Sequence, residues 1–481
     1  FHKFTMKRCV SFMGQRHAAT IVDTTTKAQF SLSRLSNGLR VLTTNDGSGC
    51  AGVGLFSLNA TKFETAETAG AAAVLETLPL RGNALMSSEE ISQTLGTLGN
   101  AFKCSNNKEA MGTLLMAPRY HARECLQLLN GMCLNPTKDN KVFDEAKALT
   151  NEKSQFADRD ATRVCFELTH QAAWGGRALG NPSLPTEQQL QAMSIESFTT
   201  YHRVLTQPSR SVVAATGIAD HNAFATMCAE ELRFPESESG DETLLKTWLQ
   251  ANTSPYCGGS MLQHNTKAPE STRKFAEKNL SHMTIMFQGV PINHPDYYTV
   301  SLIQSLLGGG TSFSSGGPGK GMQTKLFREV LHREGWLNGI ECISAWYSDG
   351  GIIGLYGSAP HEWVRHLLNV MLYQAASICE RIDASHIEMA RNQLCSQLIL
   401  LGEGREQLLS DMGFNLMVHN YITTADEILA GTSSVTLEDL RRVCDHMMAR
   451  PITFAVYGDT QNMPDHKALE TSLRAVHRKL S

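Results

Sequence analysis

Fifteen residues, Gly308-Gly-Gly-Thr-Ser-Phe-Ser-Ser-Gly-Gly-Pro-Gly-Lys-Gly-Met322, gather the groups best suited to hold a ligand through the backbone; seven are Gly and only Lys320 is charged. That density of Gly raises the entropy of ordering beyond what a helix or strand tolerates. The run interrupts one helical pattern, Tyr298 to Leu307 before it and Met322 to Leu331 after it. A long loop inside a folded domain is usually functional or disordered. Two chemistries compete. A phosphate loop needs G-x-x-x-x-G-K-[ST]. Here Gly321 follows Gly319-Lys320, and Ser314 stands five before Gly319, so two required positions fail. A flexible lid over a peptide or protein ligand is the other reading. The apolar members Phe313 and Met322 argue against a merely solvated linker.

A second run, Gly70-Ala-Ala-Ala-Val-Leu-Glu-Thr77, reads as a broken metal site. In the inverted zinc motif, H-x-x-E-H on a helix sets two imidazoles on one face and uses the Glu as base for zinc-bound water. The register Ala73-Val74-Leu75-Glu76-Thr77 keeps only Glu76. Glu152, in Leu149-Thr-Asn-Glu-Lys153, stands about where a third ligand on a second helix belongs. Two Glu do not hold catalytic zinc, so the expectation is no metal in this chain. Elsewhere His282, His294 and His361 are dispersed and read as surface or core residues.

These segments sit in a chain that repeats itself. Gly112-Thr-Leu-Leu-Met-Ala-Pro118 recurs as Gly354-Leu-Tyr-Gly-Ser-Ala-Pro360, and the strand Ser211–Gly217 recurs as Ile452–Gly458, with an offset of 241 to 242. A constant offset argues for a duplicated domain. The reading is a basic segment over 1–29, a first domain over 30–233, a linker over 234–262 and a second domain over 263–481. Of the linker's two readings, an attraction for basic peptides through its four carboxylates or a solvated connector, its composition favours the connector. In the first half, strands are expected around Leu39–Thr44, Ala51–Leu58, Ala101–Ser105, Ala110–Ala117 and Ser211–Thr216. Helices are expected at Ala69–Leu80, from Ser87 with a Glu90 capping box, at Arg119–Leu134, Val142–Ala157 and Ile195–Leu205. Strands clustered with strands favour α+β: two homologous domains, each a mostly antiparallel sheet with helices on one face.

The net charge of −4 supplies no global field for nucleic acid, and no run of apolar residues is long enough to span a membrane. Twelve scattered cysteines without a C-x-x-C suggest buried free thiols, with Cys104, Cys125, Cys342 and Cys395 inside apolar segments. The first 22 residues carry Lys3, Lys7, Arg8 and Arg16 and no acid, which fits either a trimmed mitochondrial transit peptide or an ordinary basic tail.

Ser36-Asn-Gly-Leu-Arg-Val41, Thr68–Glu76, Gly308–Met322 with Gln323–Leu331, and Tyr347-Ser-Asp-Gly-Gly-Ile-Ile-Gly354 together resemble the mitochondrial processing peptidase family, over about residues 30 to 460. The loop is similar to that of the family's α subunits. The resemblance implies an α/β heterodimer in which the β subunit holds the zinc and the α subunit recognises presequences. It assigns the substrate role to Gly308, Gly309 and Gly310, to Phe313, Gly316, Gly317 and Pro318, and to Gly319, Lys320, Gly321 and Met322. It makes Ala73, Glu76, Thr77 and Glu152 the degenerate zinc positions. Thr311 departs from a Gly often found there. The same family supplies core subunits of respiratory complex III, so a purely structural core protein is the alternative. Partners implied are a zinc-bearing β subunit, precursor presequences and other complex III subunits, at the matrix or the matrix face of the inner membrane. Lys320 sits awkwardly with basic presequences and is expected to point away or to meet a partner carboxylate.

Overall fold

In the computed structural model the described residues are 20–480, apart from 28, 46, 48, 100, 254, 266–278, 312–320, 379 and 381. The strands are β1 (Ile21–Lys27), β2 (Phe30–Leu35), β3 (Arg40–Thr44), β4 (Cys50–Ser57), β5 (Ala101–Asn106), β6 (Met111–Pro118) and β7 (Ser211–Thr216), then β8 (Gly259–His264), β9 (Leu280–Gln288), β10 (Gly309–Thr311), β11 (Gly339–Trp346), β12 (Gly351–Pro360) and β13 (Thr453–Gly458). They build two sheets, ordered β1-β2-β3-β7-β4-β6-β5 and β10-β11-β12-β9-β13-β8.

The duplication is written in that order. The segment β3-β7-β4-β6-β5 maps onto β8-β13-β9-β12-β11, strand for strand. In both, the first pair is parallel and the remaining pairs antiparallel. The β1–β2 hairpin extends one sheet and β10 extends the other at the opposite edge. One face of each sheet buries its aliphatic side chains against helices of its own half. In the first half Val53, Leu55 and Leu115 meet Leu126 and Leu129. In the second, Ile285, Leu355 and Phe454 meet Leu367, Met371 and Leu440.

The opposite faces are covered by exchange. Helix Ala161–Trp174 of the first half lies on the second sheet, where Ala173 and Trp174 pack with Met286, Tyr347 and Ile352. Helix Arg405–His419 of the second half lies on the first sheet, where Leu409, Met412 and Leu416 pack with Phe56, Leu114 and Val212. The second helix must come close: a Cβ on Gly413 would stand 2.0 Å from the Phe56 ring. A sheet that presents apolar side chains on both faces needs two covers, and each half supplies one of its partner's.

Several expectations meet the structure closely. Ser87 caps helix Ser88–Leu98 with the reciprocal Glu90 bond, and Ile195–Leu205 has the expected bounds. Others differ. The stretch Arg119–Leu134 is not one α-helix: a 3-10 turn, Arg119–His121, precedes helix Ala122–Leu129, and a wide π turn, Asn130–Leu134, follows it. The segment read as a linker holds helix Asp241–Ala251 and the start of β8. Two of its carboxylates are engaged, because Arg203 grips buried Asp241 through two bonds of 3.0 Å and reaches Glu238 at 2.7 Å. Cys104, Cys125, Cys342 and Cys395 are free thiols as expected, whereas Cys444 is disulfide-bonded. The basic residues Lys3, Lys7, Arg8 and Arg16 lie outside the described residues.

Candidate functional site

The positions that the sequence reads as degenerate zinc ligands are held by two helices, Ala71–Thr77 and Asn140–Ala157. The short helix is capped at its N-terminus by buried Glu64, whose carboxylate accepts from the Gly70 and Ala72 amides at 2.9 Å each. A carboxylate at a helix N-terminus satisfies free amides and the dipole. Burial still pushes the Glu64 carboxyl up to about 7, against those bonds and the charge of Lys108.

Ala73 is buried and offers no donor. Thr77 spends its hydroxyl locally, on the Val74 carbonyl at 2.9 Å and beside the Thr150 hydroxyl at 3.0 Å. Lys153 donates to Glu76 Oε1 at 2.6 Å. Glu152 is not brought to this group; it is exposed. The long helix turns Ala146, Thr150 and Lys153 toward its neighbour at the three- and four-residue spacing of one face, which leaves position 152 off that face. A methyl, a hydroxyl committed to the backbone and a carboxylate paired with an ammonium do not fit a zinc ion, whose ligands are imidazole, thiolate or free carboxylate. Among the described residues, no group of three or more His, Cys, Asp or Glu is arranged to hold a metal.

The Gly-rich run is anchored at both ends. Helix Tyr297–Leu307 stops at Gly308, whose carbonyl accepts from the Cys342 amide at 2.8 Å. β10 then pairs with β11, Gly309 opposite Glu341 and Gly310 opposite Ile340. Gly309 has φ +110°, and a Cβ there would stand 2.2 Å from the Ile340 carbonyl oxygen, so only Gly lets the two strands approach. At the return, Thr324 donates its hydroxyl to the Gly321 carbonyl at 2.6 Å. Met322 is exposed and lines a groove of about 840 Å³ with Phe327 and Tyr373. Phe313, Gly316, Gly317, Pro318, Gly319 and Lys320 lie outside the described residues.

The Tyr347–Gly354 motif docks the second half on the first. Buried Glu109 accepts from the Ser348 amide at 2.9 Å and from Lys62 at 2.8 Å. Lys62 also meets Asp349 at 3.0 Å, and the Tyr347 hydroxyl pairs with His170 Nε2 at 2.8 Å. Burial holds His170 down at about 4, with the nearby Lys108 charge acting in the same direction. His282 pairs with the Tyr356 hydroxyl at 2.7 Å and, by burial, also falls to about 4; like His361, bonded to Ser281, it is a satisfied structural residue. His294 lies beside Asp296 on the surface. Sequence reasoning missed Lys153, Lys62 and Glu109. Their partners are 47 to 287 residues away (Lys62 to Glu109 and Lys62 to Asp349), so no local spacing marks them.

The family described as Insulinase (Peptidase family M16) matches residues 40–187, and the Peptidase M16 inactive domain matches residues 192–394. The chain is 24% identical to the mitochondrial-processing peptidase subunit alpha of Neurospora crassa, over 87% of this chain and 82% of that protein. It is also 24% identical to the subunit of that name from Homo sapiens, over 95% of this chain and 87% of that one. A chain of complex III2 from Candida albicans shares the fold with a TM-score of 0.74 at 15% identity, over 92% of this chain and 99% of that chain. With the two M16 domains matched in tandem along most of its length, the chain belongs to peptidase family M16.

Proposed function

We propose that this chain is the non-catalytic, substrate-recognising α subunit of a mitochondrial processing peptidase, helping to remove presequences from imported precursors. The observation that carries the reading is similarity to α subunits over nearly the whole chain. The Glu76–Lys153 pair supports it, since that geometry leaves hydrolysis to a zinc-bearing β subunit. The loop role assigned to Gly308–Met322 is supported by its two fixed ends, between which a sequence-tolerant segment can meet many peptides. The protein would reside in the mitochondrial matrix, or on the matrix face of the inner membrane beside other complex III subunits. The likeness to a complex III chain favours that second location and keeps a purely structural core protein as the other reading.

Cleavage of presequence peptides separates the two. It is measured for this chain alone, with a zinc-bearing β partner, and with that partner after deletion of Gly308–Met322. Activity only with the partner and the intact loop is the expected result. Activity from the chain alone would overturn the non-catalytic assignment. Full activity without the loop, or none in any mixture, would favour the structural core protein.

A further inference from the structure

The Gly-rich run leaves and re-enters the fold through one neck. Gly308, at its start, stands against Thr324, at its return: a Cβ on Gly308 would sit 2.3 Å from Thr324 Cγ2. Gly308 has φ +58°, and its missing side chain is the space that Thr324 fills. Thr324 is buried, and its hydroxyl closes the return on the Gly321 carbonyl. The placement of a run whose two ends touch is set by whatever holds that neck.

Lys325 holds it. Its ammonium crosses to the C-terminus of helix Val364–Ala376 and donates to the Ser377 carbonyl and, at 3.2 Å, to the Ser377 hydroxyl. The last carbonyls of a helix lack intrahelical donors and carry the negative end of its dipole, so a cation there is favourable. The acceptor is itself fixed. The Ser377 carbonyl also accepts from the Glu380 amide at 3.0 Å, and the Ala376 carbonyl pairs with His477 Nδ1 at 2.9 Å. Next along the chain, Leu326 is fully buried in the core of the second half, so the backbone on the far side of Lys325 is anchored too.

A Gly-rich backbone loses more conformational entropy on ordering than any other, and that loss subtracts from binding. A fixed neck confines the loss to the run itself, whereas a neck set free adds its own residues to what a ligand must order. We propose that Lys325 is a positioning residue for presequence recognition: its contact with Ser377 holds the neck of the Gly-rich run where the run meets its peptide. This inference rests on the substrate-recognising reading above. In that reading hydrolysis belongs to the partner subunit, so loss of the contact falls on binding and not on the chemical step.

The test uses the chain assembled with its zinc-bearing β partner and a presequence peptide, with amide hydrogen exchange read on the same assembly. Lys325→Met keeps the length of the side chain and removes the donor. It should raise KM roughly fivefold, within the scale of one hydrogen bond to a charged group, with kcat little changed. Exchange should quicken at residues 309–311 and 321–324 and stay as it was elsewhere. Lys325→Arg, which can donate to the same carbonyl, should restore both readings. Thr324→Val keeps the space beside Gly308 filled but frees the Gly321 carbonyl. It should raise KM in the same way, and it carries the test if Lys325→Met does not fold. An unchanged KM with a lowered thermal midpoint would show a purely structural contact and overturn the proposal. So would a fall in kcat with KM unchanged, or a KM rise that arginine does not reverse. If the unaltered assembly neither binds nor cleaves any presequence peptide, the recognition reading itself fails and this inference falls with it.

Discussion

Lys153 donates to Glu76 at 2.6 Å, so an ammonium meets the one carboxylate that the sequence reads as the remnant of a metal motif. The pair bridges two helices that elsewhere meet through Thr77 and Thr150. Zinc added to the protein should therefore find no ordered site, and the thermal midpoint should not rise by calorimetry. Lys153 is well exposed, so Lys153→Ala should destabilise by no more than about 1 kcal/mol in urea titrations. A rise in midpoint with stoichiometric zinc would contradict the geometry.

Gly309 should tolerate no side chain. Its φ of +110° and the 2.2 Å approach to the Ile340 carbonyl oxygen mean that Gly309→Ala must peel β10 from β11. A loss of about 2–3 kcal/mol is expected by chemical denaturation. Gly310→Ala meets nothing within 4 Å and should lose less. Equal losses would mean that backbone strain, not the close approach, sets the requirement.

The clamp between the halves should depend on its buried member. Glu109→Ala leaves Lys62 buried with half-exposed Asp349 and a long 3.4 Å bond to the Ser348 hydroxyl, and should cost about 3–5 kcal/mol. Asp349→Ala, at the exposed end of the same network, should cost about 1 kcal/mol or less. Denaturant midpoints of the two variants measure the difference. The exchanged helices predict that Glu109→Ala lowers both halves in one transition.

Acidification should weaken the fold from about pH 6.5 downward. His170, His202 and His282 are held at about 4 by burial, against an ordinary 6.5. Between those values the unfolded chain binds protons that the folded one refuses, and stability falls by about 1.4 kcal/mol per pH unit for each group. Glu64 acts in the opposite sense: its carboxyl is raised to about 7, so the folded state binds its proton first as pH falls toward 4.5. Three histidines outweigh one carboxyl. Glu64→Gln removes the offset and should steepen the decline between pH 6.5 and 5, read from denaturation midpoints.

Much of the architecture is legible along the chain because its signals are local. The Ser87–Glu90 capping box is a three-residue spacing and reappears as bonds in the structure. The repeat of Gly112–Pro118 at Gly354–Pro360 places β6 and β12 at matching positions in the two sheets. The β1–β2 hairpin gave little signal, since Asp23, Thr24 and Thr25 face solvent and the run lacks apolar alternation. Helix Asp241–Ala251 was hidden by its acidic approach. What orders it is Arg203, which comes from a different helix.

By itself the sequence determined what the chain lacks chemically and which backbone it can allow. A methyl at Ala73 and a hydroxyl at Thr77 cannot replace imidazoles in any fold, and a fifteen-residue run with seven glycines cannot form a regular helix. Only the tertiary structure decided that Lys153, not Glu152, answers Glu76, because helix phase selects which of two adjacent side chains faces a neighbour. It alone joined Glu109 to Ser348 across 239 residues, and set Glu341 opposite Gly309 at the loop's anchor. Such pairings arise when two sheets exchange covering helices, and distance along the chain carries no trace of them.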